Sequence, residues 1–219
     1  MRLLPLLAIL AVAHTASAAR PAFHASTQPL PPRLRAQVQS SHNWHPGCPV
    51  PLSQLRLLTV SHWGFDRRPH TGQLVVNARA TAPLTAVFRR LYELRFPIRH
   101  MRTGDVYGGA RWRPADGDVT ASFECRQAAA SPCTGKARTG TWSLHAYGLA
   151  VDLNPVENPY VGCGMTRDRT ALSYLDRSRV RRGMVTPAVI AAFRSVGWGW
   201  GGSWTGDTKD YMHFSSTGH

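Results

Sequence analysis

Two segments, Ser143-Leu-His145-Ala-Tyr-Gly148-Leu-Ala-Val-Asp152 and Asp210-Tyr-Met-His213-Phe, carry two imidazoles and two carboxylates, about sixty residues apart in the chain. A catalytic zinc ion is usually held by three His, Asp or Glu side chains, and a fourth position is left for water. We therefore predict that His145, Asp152 and His213 bind Zn²⁺ and that Asp210 acts as a base.

The same stretch predicts the local fold around the site. Residues 149–153 are apolar apart from Asp152 and predict a short strand. Residues seven apart on one unbroken strand would face opposite sides of a sheet. Gly148 can adopt the left-handed conformation that ends a helical turn, so a turn there would let His145 and Asp152 converge on one ion.

Upstream of this stretch, the hydrophobic period changes from that of strands to that of a helix. Residues 55–62 and 73–79 alternate between apolar and polar and predict an antiparallel pair. Residues 83–96 have helical spacing, with Thr81 available as the N-cap, and residues 98–101 predict a further strand.

The rest of the chain predicts a long loop and one more helix. Residues 104–141 lack a clear period, and we expect them to form one wall of a cleft. Pro187 follows Thr186 and precedes an apolar segment over 189–196 that ends at Gly197. This order predicts a helix with proline at its first position and glycine after its end.

The length of 219 residues suits one catalytic domain. Residues 1–18 have a basic start, a short apolar run and small residues before Ala19, which predicts a signal peptide. Residues 19–45 are rich in Pro, Ser and Gln, and we predict a flexible linker there. The catalytic domain is then expected over 46–219. The protein should be secreted, either extracellular or associated with the cell wall, without a membrane span.

The four cysteines predict two disulfides, because thiols tend to pair in an exported protein. Three pairings are possible from sequence, and we favour Cys48–Cys125 and Cys133–Cys163. A zinc site built from these cysteines is the weaker alternative, since they lack paired C-x-x-C spacing.

The formal net charge is +14, and loss of Arg2 with a signal peptide would leave 14 − 1 = +13. Such a charge attracts polyanions. The chain has none of the sequence signatures of common nucleic-acid-binding folds, so we expect no nucleic-acid partner. Anionic cell-wall polymers are the expected polyanionic partner.

Several ordered motifs resemble those of the M15 zinc peptidases, which include D-alanyl-D-alanine carboxypeptidases and endolysin-type endopeptidases. The motifs are S-x-H-x-x-G-x-A-x-D, W-G-W-G-G-x-W and D-x-x-H-F, with Phe123-Glu-Cys-Arg126 and Asn154-Pro-Val-Glu-Asn-Pro-Tyr160 before or between them. The resemblance extends from about residue 47 to 214 and is strongest to the VanY-like and L-alanyl-D-glutamate endopeptidase branches. Cys133 and Cys163 depart from the family's pattern.

This resemblance implies roles for individual residues. It implies zinc held by His145, Asp152 and His213, and it places Asp210 in the position of the catalytic acidic residue. Arg126 matches an arginine that binds substrate and would stabilise the developing oxyanion. Ser143 matches the motif serine, which we expect to orient nearby groups or contact substrate. Separately from the resemblance, Tyr147 lies beside a ligand and is a candidate for substrate contact, with a packing role as the alternative.

We therefore predict an α+β fold of one domain, with a central antiparallel sheet, helices packed to one side and a zinc cleft on the sheet, as in hedgehog-like and DD-peptidase-like proteins. The predicted function is hydrolysis of amide bonds in peptidoglycan stem peptides, by a D,D-carboxypeptidase or an L-Ala-D-Glu-type endopeptidase, and we expect a monomer. One alternative is a non-catalytic, zinc-stabilised wall-binding protein on the same fold. The other is a basic envelope-binding protein without zinc.

Overall fold

The computed structural model describes residues 21–135 and 138–219, apart from the side chains of residues 138 and 139. The predicted signal peptide, residues 1–18, lies outside the described residues. The described part of the chain is a mixture of helices and antiparallel strands. Its strands are β1 Ala25–Pro29, β2 Leu55–Trp63, β3 Pro69–Asn77, β4 Gln127–Ala128, β5 Arg138–Trp142, β6 Ala150–Asp152, β7 Tyr160–Gly162, β8 Gly199–Trp200, β9 Thr208–Asp210 and β10 His213–Ser215. Its α-helices are α1 Pro32–Ser40, α2 Thr81–Glu93, α3 Thr103–Tyr107 and α4 Pro187–Arg194.

Strands β1, β2 and β3 form an antiparallel sheet in that order. Leu57 is paired with Val75, and Leu58 with Leu74, so neighbouring pairs point to opposite faces. Both faces are apolar, and each lies over its own hydrophobic core. The predicted antiparallel pair is confirmed.

Helices cover both faces of this sheet. The face with Leu58 and Leu74 packs against α2 and α4 and forms the first core. The face with Leu57 and Val75 packs against α1 and Tyr107 of α3 and forms the second core. The prediction that helices pack to one side is therefore wrong. The physical reason is that β2 and β3 are apolar on both faces, so water must be excluded from each of them.

The predicted flexible linker over 19–45 is also wrong from Ala25 onward. Strand β1 pairs with β2 along its length, and α1 buries Leu34 and Val38, four residues apart, in the second core. Pro32 occupies the first turn of α1, where a missing N–H costs nothing. Pro32, one of the prolines that suggested an extended linker, therefore begins a helix.

The antiparallel pairing is divided among several small sheets, so the prediction of one central sheet is wrong. Strands β6, β10 and β8 form a second three-stranded sheet, while β4–β5 and β7–β9 are separate two-stranded pairs. The first sheet is linked to the turn that precedes β6, where Asn77 N–H donates to the carbonyl oxygen of Gly148 at 2.9 Å. Residues 98–101, predicted as a strand, contribute only an isolated bridge between His100 and Val119.

The two long helical predictions are confirmed with shifted ends. Helix α2 begins at Thr81, whose hydroxyl lies inside the first turn and donates to Ala78 O at 2.8 Å, so Thr81 is not the N-cap. Helix α4 begins at Pro187, and the chain takes a positive φ at Gly197 just beyond its end.

The two favoured disulfides, Cys48–Cys125 and Cys133–Cys163, are both present. No helix in residues 21–135 or 138–219 is long and apolar enough to cross a membrane.

Candidate metal centre

His145 lies in a short 3-10 turn that the sequence shapes at both ends. Ser143 precedes the turn, and its hydroxyl accepts a hydrogen bond from the His145 N–H at 3.3 Å. Gly148 ends the turn with φ of 64°, the left-handed conformation that its position predicted. The chain therefore reverses between His145 and Asp152.

The ring of His145 is oriented by a backbone carbonyl. Its Nδ1 lies 2.6 Å from Ser122 O, so Nδ1–H donates and Nε2 keeps a free lone pair. A hydrogen bond of this kind fixes the tautomer of metal-binding histidines. His145 is 3% exposed, so solvent competes little for the ring.

Asp152 and His213 are brought together by strand pairing. They are direct partners in the antiparallel β6–β10 pair, which places their side chains on the same face of the second sheet. His145 reaches this face from the preceding turn. Two segments about sixty residues apart in sequence thus contribute one cluster, in which both imidazoles are buried and the carboxylate is half-buried.

The three candidate ligand atoms form an equilateral triangle. His145 Nε2, His213 Nδ1 and Asp152 Oδ1 are separated by 3.2 Å on every side. Ligands at ~2.0–2.1 Å from zinc in a tetrahedron are ~3.3 Å from one another. The donor set and its spacing therefore fit Zn²⁺ with one coordination position left open.

Electrostatics keep the Asp152 carboxylate in the anionic form that a metal ligand needs. Burial raises the pKa of Asp152, but the imidazoles of His145 and His213 outweigh burial and hold this pKa well below its ordinary value. A divalent cation would act in the same direction.

A second cluster, His45, Cys48 and Cys125, also has ligand atoms close to one another. Its two sulfurs are joined in the Cys48–Cys125 disulfide, and the thiolate is the form of cysteine that binds metals. With the disulfide intact this cluster offers a single imidazole. The His145–Asp152–His213 cluster is therefore the better candidate for a metal site.

Asp210 lies at the end of β9, three residues before His213. One carboxylate oxygen, Oδ1, is buried without a hydrogen-bond partner among the described residues. Burial, followed by the nearby Asp152 carboxylate, raises the pKa of Asp210 to about 7. Such a group can take up and release a proton near neutral pH, as a general base must.

The Arg126 guanidinium lies close enough to the carboxylates of Asp152 and Asp210 to interact with both electrostatically. Its carbonyl oxygen accepts from Ser143 N–H at 3.1 Å, which joins its segment to the turn that holds His145. Burial lowers the pKa of Arg126, but Glu124, Asp152 and Asp210 outweigh burial and raise it. The guanidinium Nε donates to Glu124 at 2.7 Å, and its side chain is 33% exposed. The guanidinium is therefore accessible to solvent.

Ser143 and Tyr147, the two remaining predicted site residues, both make contacts that stabilise the fold. The Ser143 hydroxyl caps the turn of His145, which agrees with the orienting role. The half-buried side chain of Tyr147 packs against the second core, and its carbonyl oxygen accepts from Asn77. These contacts fit the packing alternative for Tyr147, and substrate contact by either residue stays a prediction.

Sequence reasoning missed two residues near the site. Ser122 acts through its backbone carbonyl, which any residue could supply, so no side-chain pattern marks it. Tyr160 is the direct partner of Asp210 in the β7–β9 pair. Its position in Asn154-Pro-Val-Glu-Asn-Pro-Tyr160 was noted, but only the strand register places it beside Asp210.

A buried His/Asp/His triangle with an open position and an adjacent carboxylate is the arrangement of hydrolytic metal centres. Residues 137–216 match a family described as D-alanyl-D-alanine carboxypeptidase, and this segment contains all three candidate ligands and Asp210. The match confirms the resemblance to M15 peptidases over a shorter stretch than expected, and it begins after Arg126. Neither the search of curated proteins nor that of solved structures gave a match.

Proposed function

We propose that the protein is an exported zinc peptidase that hydrolyses amide bonds in peptidoglycan stem peptides. The observation that carries the proposal is the 3.2 Å triangle of His145, Asp152 and His213, with the buried carboxylate of Asp210 nearby. The family match over the same residues supports a peptidase.

In this proposal His145, Asp152 and His213 hold Zn²⁺. When bound, zinc supplies Lewis acidity and lowers the pKa of water. Asp210 accepts a proton from the attacking water and returns it to the leaving amine, which its raised pKa suits. Arg126 donates hydrogen bonds to the oxyanion that develops on the scissile carbonyl.

The decisive experiment combines metal analysis with product masses. The purified protein is incubated with defined muropeptides, with and without a chelator, and we expect one zinc per chain and chelator-sensitive cleavage. Loss of a single alanine would identify a D,D-carboxypeptidase, and release of a stem after L-Ala would identify an endopeptidase. Stoichiometric zinc without cleavage would indicate a non-catalytic wall-binding protein, and absence of zinc would reject the metal site.

We further propose that the protein is a secreted monomer that binds anionic wall polymers through its positive charge. Two disulfides are compatible with an oxidising compartment. Attraction between exposed charges is screened by salt. We expect cosedimentation with anionic wall polymers in 50 mM salt and release in 500 mM salt; salt-insensitive binding would contradict an electrostatic attachment.

A further inference from the structure

A groove of about 220 Å³ is lined in part by Met212, the residue that precedes the candidate ligand His213. This volume is smaller than the cavities that hold drug-sized ligands, so the groove suits a short peptide segment. Its apolar wall includes Ala129, Ala130, Pro132, Pro159, Tyr160 and Met212.

Strand pairing places this groove next to the predicted base. Tyr160 is the cross-strand partner of Asp210, so the two side chains lie on one face with their Cβ atoms ~5 Å apart. Met212 lies between Asp210 and His213 in the chain. On the opposite wall, Ala129 follows Arg126 by three residues. The groove is therefore bounded by the segments that carry the predicted catalytic residues.

The second disulfide joins the walls of the groove. Cys133 follows the wall residue Pro132, and Cys163 lies between Tyr160 and the loop that contains Arg167. A Cβ atom at Gly162 would lie 2.5 Å from the backbone nitrogen of Cys133, so the two segments are in close contact. This disulfide, which departs from the pattern expected of the M15 family, therefore shapes the groove.

Arg167 supplies a cation at the groove. Its neighbour Asp168 is engaged within its own turn, where Oδ1 accepts from Thr170 N–H at 2.8 Å. Arg167 donates to Ser131 O at 3.4 Å, a long hydrogen bond. In the described ranges 21–135 and 138–219, no carboxylate forms an ion pair with Arg167. The guanidinium is thus available to a carboxylate of the substrate.

We propose that this disulfide-linked groove receives the residue on the leaving side of the scissile bond, with its small side chain against the apolar wall and its free α-carboxylate paired with Arg167. The proposal rests on the proposed peptidase function. The leaving side is favoured because the groove adjoins Asp210, which returns a proton to the leaving amine. Arg167 would then be the residue that selects a carboxypeptidase substrate.

The test compares two peptides that differ only at the C-terminus, one ending in D-Ala-D-Ala as the free acid and the other as its amide. The zinc-loaded wild-type chain should prefer the acid. Arg167→Gln should raise KM for the acid about ten- to a hundred-fold, the effect of losing one charge-assisted hydrogen bond, with kcat unchanged. Its KM for the amide should stay at the wild-type value.

Arg169→Gln is the matched control, because Arg169 is exposed in the same segment and does not line the groove. It should behave as the wild type. Ala129→Trp, at an exposed wall position, should fill the groove and raise KM for both peptides.

The outcomes separate this inference from the function on which it rests. If the wild type cleaves peptides and Arg167→Gln keeps the wild-type preference for acid over amide, the groove assignment is overturned and the peptidase stands. If Ala129→Trp leaves both KM values unchanged, the groove is not the subsite. If the wild type cleaves neither peptide nor any defined muropeptide, the peptidase function itself fails.

Discussion

Two half-buried carboxylates at the candidate metal centre, those of Asp152 and Asp210, have opposite electrostatic environments. The imidazoles of His145 and His213 lower the pKa of Asp152, whereas burial and the Asp152 charge raise that of Asp210 to about 7. Pairs of titratable groups with pKa values shifted apart are typical of acid–base sites. At the scale of single residues, this difference supports the proposal that Asp152 binds the metal and Asp210 transfers the proton.

Asp210→Asn should therefore separate chemistry from metal binding. Amide hydrolysis should fall about 10²- to 10⁴-fold, the usual contribution of a general base, with zinc content unchanged. Peptide turnover and zinc stoichiometry are measured on the same preparation. His213→Ala is the comparison, since it should lose zinc and activity together; loss of zinc from Asp210→Asn would show instead that Asp210 is a ligand.

His62 should make stability depend on pH on the acidic side. Burial lowers its pKa from 6.5 to about 4, partly offset by a hydrogen bond to Trp63 O. Between pH 6.5 and 4 the unfolded chain binds a proton that the native imidazole does not. Above pH 6.5 His62 is neutral in both states and costs no stability. As the pH falls towards 4, the free energy of unfolding decreases by up to about 3 kcal/mol because only the unfolded chain binds this proton.

Urea unfolding of wild type and His62→Gln at several pH values measures this effect. The wild type should lose more free energy of unfolding than the variant between pH 7 and pH 4. Equal losses would show that His62 does not carry the dependence. His24→Gln is the control, because the His24 side chain is exposed and His24 bonds Ser61 through its backbone N–H.

At the scale of elements, the turn over Leu144–Tyr147 depends on Gly148. Its φ is 64°, and a Cβ atom there would lie 2.6 Å from the backbone nitrogen of Asn77, in the first sheet. The glycine thus permits both the reversal of the chain and the close approach of this turn to the first sheet.

Gly148→Ala should weaken folding and metal binding together. Left-handed backbone strain costs about 1–2 kcal/mol, and the clash with Asn77 adds to it. Gly197→Ala is a matched control, because Gly197 has φ of 80° and no neighbour within 4 Å of an added Cβ. Chemical denaturation and zinc titration are compared; equal losses in the two variants would argue against the role of the close approach.

Elements with a strong period could be predicted, whereas short ones could not. Alternation over 55–62 identified β2, and helical spacing identified α2 and α4. Helix α1 has nine residues and buries only Leu34 and Val38, which is too few apolar positions to show a helical period. The prolines before it therefore dominated the prediction. Strands of two or three residues, such as β8 and β9, form only when a partner strand is present.

At the scale of the whole molecule, the disulfides close loops of different length. Cys48–Cys125 spans 77 residues and Cys133–Cys163 spans 30. Removal of each pair by double substitution with serine should cost about 4.5 and about 3.5 kcal/mol of unfolding free energy, since the longer loop restricts the unfolded chain more. Denaturant unfolding under non-reducing conditions measures both losses, and a larger loss for the shorter loop would contradict the entropic explanation.

The sequence by itself determined the chemistry that is available and the local turns that present it. Side-chain type was enough to predict the candidate site residues His145, Asp152, Asp210 and His213. The backbone freedom of glycine was enough to predict the left-handed turn at Gly148. Only the tertiary structure decided that helices cover both faces of the first sheet, that Ser122 orients His145, and that Tyr160 lies beside Asp210. The reason is physical: side-chain chemistry and turn propensity are local, whereas strand register and burial depend on which distant segments exclude water from one another.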